Sequence, residues 1–243
     1  WNISWLGLSK RCESKLVPRK YKFFSLNIES PRKKNIFLFI QYIKIILSSI
    51  NIVKIIKTNK ISLIFTTGGY ISAPTIIAAK ICCTPIIIHE SNVIPGTVTK
   101  YFGKFCDHVL TGFEATDNFL KDCQITFTGT PLRRNIDINN DLPEWVPNGY
   151  GPLILVMGGS QGANGINDMI YESLDSLLNN NIRVVHIFGE SKMNNFKYKN
   201  QRNYFRLSFT DEIAPLIQNC DLVIARSGAL TVNELIKTKK PSI

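Results

Sequence analysis

Short apolar runs that stop at glycine or at small polar residues, each followed by apolar positions at helical spacing, recur along the 243 residues. The clearest is 153–157, five apolar residues halted by Gly158 and Gly159. That is the length of a buried parallel strand, and beyond it Ala163, Ile166, Met169, Ile170, Leu174 and Leu177 repeat at helical spacing, which predicts strand, tight turn and helix. The same pattern predicts strands at 1–6, 21–26, 61–66, 85–88, 109–110, 125–128, 184–188, 204–209 and 221–225. Helices are expected at 36–56, 73–81 and 211–217, and again after Gly228. Strands alternating with helices predict an α/β protein.

One stretch breaks the alternation. Residues 135–151 hold four Asn, two Pro and two Gly without a periodic apolar pattern, which reads as a linker between a domain at 1–134 and another at 152–243. The most apolar element, 36–56, is long enough to suggest a membrane span, but Lys44 and Lys54 lie inside it, and a lysine in mid-bilayer costs about 3 kcal/mol. Gln41, Lys44, Ser48 and Asn51 share a narrow stripe. This fits a helix that packs in its domain, or one that lays part of its apolar surface on a membrane with Arg32, Lys33, Lys34, Lys54, Lys57 and Lys60 as anchors for anionic head groups.

Charge sharpens that reading. The net +11 resides in residues 1–60, with thirteen Lys/Arg against Glu13 and Glu29, while the rest of the chain is neutral. The six cysteines, at 12, 82, 83, 106, 123 and 220, form no C-x-x-C pair and no secretory signal precedes them, so a zinc site or disulfide framework is not expected and a reducing cytosol is the default.

Candidate chemistry lies where predicted strands end. Glycines at 158, 159 and 162 permit positive φ and close ligand approach, and the first N–H groups of the following helix are anion donors, so a phosphate or diphosphate cradle is expected. G-G-S-Q-G also fits the G-x-S-x-G pattern that would make Ser160 a hydrolase nucleophile; that fold needs an acid and then a histidine, and the only later histidine, His186, follows too soon. Neither G-x-G-x-x-G nor a P-loop pattern is present at this turn. His89-Glu90 has no second histidine at zinc-protease spacing. Glu234, in the first turns of the helix after Gly228, is placed to accept two ribose hydroxyls, or else is a solvated helix glutamate.

Four strand-end motifs in order, T-G-G-Y-I-S-A-P (67–74), H-E-S-N with P-G (89–92, 95–96), G-G-S-Q-G-A (158–163) and R-S-G-A-L-T-V-N-E-L (226–235), with G-T-P-L-R (129–133) and an opening W-L-G, resemble the MurG family of bacterial peptidoglycan glycosyltransferases over essentially the whole chain. The resemblance implies a GT-B fold, two Rossmann-like parallel-sheet domains facing a cleft. It also implies inverting, metal-independent transfer of N-acetylglucosamine from UDP-GlcNAc to the C4 hydroxyl of a lipid-linked muramoyl-pentapeptide, lipid I, giving lipid II, with no cofactor. The expected place is the cytoplasmic face of the inner membrane, or the equivalent membrane of a bacterium-derived organelle, held peripherally, with no nucleic-acid partner.

By resemblance, Gly158, Gly159, Ser160, Gln161 and Gly162 hold the donor diphosphate, and Arg133 assists beside that charge. Ala229, Leu230, Thr231, Val232, Asn233 and Glu234 bind UDP, with Glu234 on the ribose. Asn92 touches the donor sugar, and the backbone of Thr210 meets uracil, where the family usually has an apolar residue. His89, Tyr70 and Lys104 match positions around the acceptor, and the general base is unassigned. Ser91 and Thr130 stand where glutamine and asparagine are commoner. The family's G-G-T-G-G-H loop and a glutamine-bearing sugar loop lie outside these 243 residues, which leaves a catalytically silent UDP-binding or membrane-associated fragment as the alternative.

Overall fold

The computed structural model describes residues 1–8, 17–26, 37–159, 162–189, 200 and 203–243, with backbone only for 37–43. The chain forms two compact units, Trp1–Gly129 and Thr130–Ile243. In the first, β1 (Ser4–Leu8) and β2 (Lys22–Leu26) pair in parallel, and β3 (Ile64–Thr66), β4 (Ile86–Glu90), β5 (His108–Thr111) and β6 (Ile125–Phe127) form a separate parallel sheet in that order. Helices α1 (Phe37–Thr58), α2 (Ser72–Ile81) and the short α3 (Thr97–Phe102) connect them.

Helix α1 shows why its apolar content does not make it a span. Ile52 and Ile56 are buried with Leu8, Leu26 and Ala78, and Ser49 turns its hydroxyl back to the Ile45 carbonyl at 3.0 Å. The other side leaves Ile46, Leu47 and Ile50 exposed, continuing at helical spacing into exposed Lys54 and Lys57. Among the described residues, no helix is long and apolar enough to cross a membrane.

The second unit has four parallel strands, β7 (Leu153–Met157), β8 (Arg183–Ile187), β9 (Tyr204–Leu207) and β10 (Leu222–Ala225), in the order β10-β7-β8-β9. Every residue of β7 is buried, as an inner strand covered on both faces requires. Helices α4 (Asn164–Asn179), α5 (Ile213–Asn219) and α6 (Ala229–Thr238) complete the unit, and Ser242 bridges to Val223 beside β10.

Residues 135–151 are not a free linker, and the division falls after Gly129 rather than after 134. A 3-10 turn at Arg134–Asp137 buries Ile136, and Val146 joins the core of Leu153, Leu155 and Leu216. The Gln218 amide donates to the carbonyls of Ile136 and Ile138 at 2.9 and 2.7 Å. Single apolar residues on irregular backbone produce no sequence period, while side-chain amides satisfy the polar groups between them.

Candidate functional site

Strand β7 leads through α4 to β8 on one side, while β10 joins the sheet on its other side. The crevice outside the carboxyl ends of β7 and β10 is therefore a topological switch point, where open α/β sheets bind ligands. Two helices begin there, α4 after Ala163 and α6 after Gly228, and neither cap residue's side chain bonds the helix's own first N–H groups. Those groups are suited to an anion.

The glycine turn after β7 is built by contact as much as by backbone freedom. Gly159 and Gly162 have φ of +80° and +76°, and a Cβ on Gly158 would stand 2.5 Å from the Ala163 nitrogen. Gly189, after β8, carries no local signal of its role: at φ +76°, a Cβ there would meet the Gly162 nitrogen at 2.3 Å and the Gly159 carbonyl oxygen at 2.8 Å. Ser160 and Gln161, expected in this cradle, lie outside the described residues.

Along α6, Ala229, Thr231, Val232 and Asn233 are half-buried, Leu230 is exposed, and Glu234 is 1% exposed. Arg133 Nη1 donates to Glu234 Oε1 at 2.6 Å and also to Oε2, so the two residues expected on different parts of one nucleotide are paired with each other. Thr210 follows β9 at the same carboxyl end of the strands, with its hydroxyl accepting from the Glu212 N–H at 3.1 Å. It is three strands from β10, about 14 Å at normal strand spacing, so a ligand meeting both must lie across the strand ends.

His186 offers no catalysis. It is fully buried, with Nε2 2.9 Å from Asn167 Oδ1 and Nδ1 3.2 Å from the Tyr204 hydroxyl. Burial, reinforced by the Arg206 charge, pushes its pKa down to about 4. This removes the remaining partner for a Ser160 hydrolase triad.

In the first unit the carboxyl end of β4 carries its own polar cluster. His89 is buried, its Nε2 2.9 Å from the Gly129 carbonyl oxygen and its Nδ1 3.3 Å from the Ser91 hydroxyl. One neutral tautomer satisfies both, with Nε2–H donating to Gly129 and Nδ1 accepting from Ser91. His89 thus braces the ends of β4 and β6. Glu90, to which the sequence reading assigned no role, is the organising group: it is buried and accepts from the Asn92 N–H and side-chain amide at 3.0 and 2.9 Å and from the Gly96 N–H at 2.9 Å. It fixes the loop that presents the exposed Asn92. Gly68, at φ +80°, brings the T-G-G-Y turn against this cluster, where a Cβ would meet the Thr99 hydroxyl at 2.8 Å.

Tyr70 packs beside the cluster of Leu8, Leu26 and Ile52, on an apolar groove it shares with Trp5, Leu6 and Phe65. Lys104 is exposed in the 3-10 turn after α3. That turn leads to the start of β5, at the amino end of the parallel strands, whereas His89 lies at the carboxyl end of β4, so topology separates these two candidates.

Residues 1–111 match the glycosyltransferase family 28 N-terminal domain, and residues 153–243 match the glycosyltransferase family 28 C-terminal domain. Over all 243 residues the chain is 60% identical to the UDP-N-acetylglucosamine--N-acetylmuramyl-(pentapeptide) pyrophosphoryl-undecaprenol N-acetylglucosamine transferase of Prochlorococcus marinus strain AS9601, spanning 67% of that relative. The chain belongs to this transferase family, the MurG family. The transferase of strain NATL2A is 43% identical over 246 aligned residues, with 70% of it covered. Among solved structures, MurG of Acinetobacter baumannii matches with a TM-score of 0.66 at 22% identity, over 98% of this chain and 68% of that one. UDP-GlcNAc 2-epimerase from Neisseria meningitidis, bound to UDP-GlcNAc, matches at 0.61 and 13% identity, over 92% and 68%. At such identities these likenesses speak for the fold, which is that of MurG.

Proposed function

We propose that this MurG-family chain serves the transfer of N-acetylglucosamine from UDP-GlcNAc to the C4 hydroxyl of the muramoyl sugar of undecaprenyl-diphospho-MurNAc-pentapeptide, converting lipid I to lipid II in peptidoglycan synthesis. The observation that carries this reading is 60% identity, across every residue, with a transferase named for that donor and acceptor. In an inverting displacement the acceptor oxygen bonds to the sugar's anomeric carbon as the bond to the diphosphate breaks. UDP then leaves with the electron pair, and the hydroxyl proton passes to a base. Negative charge therefore grows on the departing diphosphate. The backbone at Gly158, Gly159 and Gly162, the first N–H groups of α4 and the Arg133 guanidinium are the groups suited to that charge. Glu234 takes the ribose hydroxyls, and Thr210 offers its backbone to the base. Asn92, held by Glu90, addresses the sugar.

The acceptor is a lipid, and α1 supplies a surface for its membrane. Leu47 and Ile50 present exposed apolar side chains that run into Lys54 and Lys57, the arrangement of a helix lying at an anionic interface. This supports peripheral attachment on the side where the nucleotide sugar is available.

Calorimetric titration tests the donor assignment. UDP and UDP-GlcNAc bind in preference to ADP or GDP, and Glu234→Ala weakens UDP by about 1–3 kcal/mol through two lost ribose hydrogen bonds. Equal affinity for ADP, or unchanged UDP affinity in Glu234→Ala, removes the assignment.

A further inference from the structure

Glu234 is 1% exposed, and one guanidinium nitrogen of Arg133 occupies both of its oxygens, while the Arg133 side chain itself is 40% exposed. A carboxylate so enclosed offers no open oxygen to an incoming ribose. The group able to leave is the half-exposed guanidinium. Just beyond it the backbone is strapped down: Asp137 pairs with Lys237 of α6 at 3.0 Å, Gln218 of α5 holds the Ile136 and Ile138 carbonyls, and Ile136 is buried. Arg133 can therefore release Glu234 by turning its own long side chain, without moving the segment that carries it.

A buried carboxylate does not give up its cation without replacement, because an unpaired charge inside a protein is strongly destabilising. Two ribose hydroxyls donate two hydrogen bonds and supply that replacement. The freed guanidinium needs a new anion, and a diphosphate is its natural bidentate partner. From this geometry we propose that Arg133 is a specificity-determining cap: in the nucleotide-free protein it covers Glu234, and a nucleoside diphosphate exchanges both partners at once, ribose for Arg133 on Glu234 and diphosphate for Glu234 on Arg133. The proposal rests on the ribose assignment of Glu234. Its consequence is selection for the diphosphate, since uridine alone displaces the cap and gives it nothing to bind, whereas UDP provides for both groups.

The exchange predicts opposite effects of one substitution on two ligands. Arg133→Ala removes the competitor, so uridine, measured by displacement of labelled UDP, binds roughly 3- to 10-fold tighter, in the range of a partly exposed ion pair. UDP loses its diphosphate partner and binds about 10-fold weaker or more. Arg133→Lys, which keeps a cation without the bidentate fork, falls between, and circular dichroism with thermal melting reports whether each variant folds. Equal weakening of uridine and UDP in both variants would show Arg133 to be a fixed support for Glu234 and overturn the exchange; so would no change in either ligand. Glu234→Gln separates the two ideas: if it leaves UDP affinity intact, the ribose assignment fails and the exchange falls with it. If it weakens UDP while the uridine-to-UDP ratio is unmoved by Arg133→Ala, the exchange alone fails.

Discussion

Gly189→Ala is a change of one methyl group in a residue with no chemistry, yet it bears directly on the proposed diphosphate cradle. The added Cβ would lie 2.3 Å from the Gly162 nitrogen, 2.5 Å from its Cα and 2.8 Å from the Gly159 carbonyl oxygen, and each of these is backbone that no side-chain rotation can clear. The φ of +76° adds roughly 1–2 kcal/mol for a residue with a Cβ, and overpacking a tight contact adds about 1–3 kcal/mol. The second unit is therefore expected to lose about 2–5 kcal/mol, or else to shift the Gly159 and Gly162 backbone by enough to open the contact. On the proposed assignment, displacing this backbone harms diphosphate binding more than ribose binding, which is assigned to α6. Urea denaturation measures the stability, and titration with UDP and uridine measures the site: UDP weakens at least tenfold while uridine changes much less. A variant with unchanged unfolding midpoint and UDP affinity would refute the contact argument.

Other outcomes follow from the same geometry. His186 stays neutral in the folded unit, with its pKa at about 4, but takes a proton below 6.5 when unfolded; stability is thus full above pH 6.5 and falls toward pH 4 by on the order of 3 kcal/mol. Urea midpoints across that range should flatten in His186→Gln. His89→Ala removes the brace to Gly129 and is expected to lower first-unit stability by about 1–3 kcal/mol while leaving UDP affinity unchanged, as separate melting and titration experiments will show. Replacing Leu47 and Ile50 together by Glu should abolish sedimentation with anionic vesicles, and wild-type binding should weaken with salt as the attraction is screened over about 8 Å.

The strands and their glycine turns were legible because their signals are local. Five apolar residues stopping at two glycines announce β7 and the turn that ends it whatever the rest of the chain does. What escaped depends on partners far away in sequence. Gly189 matters only because the Gly162 backbone lies against it, and Arg133 meets Glu234 across 101 positions. Polar composition disguised 135–151, since Ile136 and Val146 are buried one at a time and Asn140 is satisfied by Gln218. His89 stood out as a reactive residue type, and the structure gives both of its ring nitrogens to bracing bonds. Glu90 passed as one letter of a motif, although three N–H bonds make it the centre of its loop.

The most direct measurement is transfer itself, with these 243 residues replacing their counterpart in the Prochlorococcus marinus AS9601 transferase so that the assay runs at the relative's full length. With radiolabelled UDP-GlcNAc and a lipid I analogue, in the presence of a chelator, one labelled disaccharide lipid is expected for each UDP released, with a loss of at least tenfold in kcat/KM on Glu234→Ala. A folded chimera that binds UDP yet forms no disaccharide lipid, or that releases free N-acetylglucosamine instead, would contradict it.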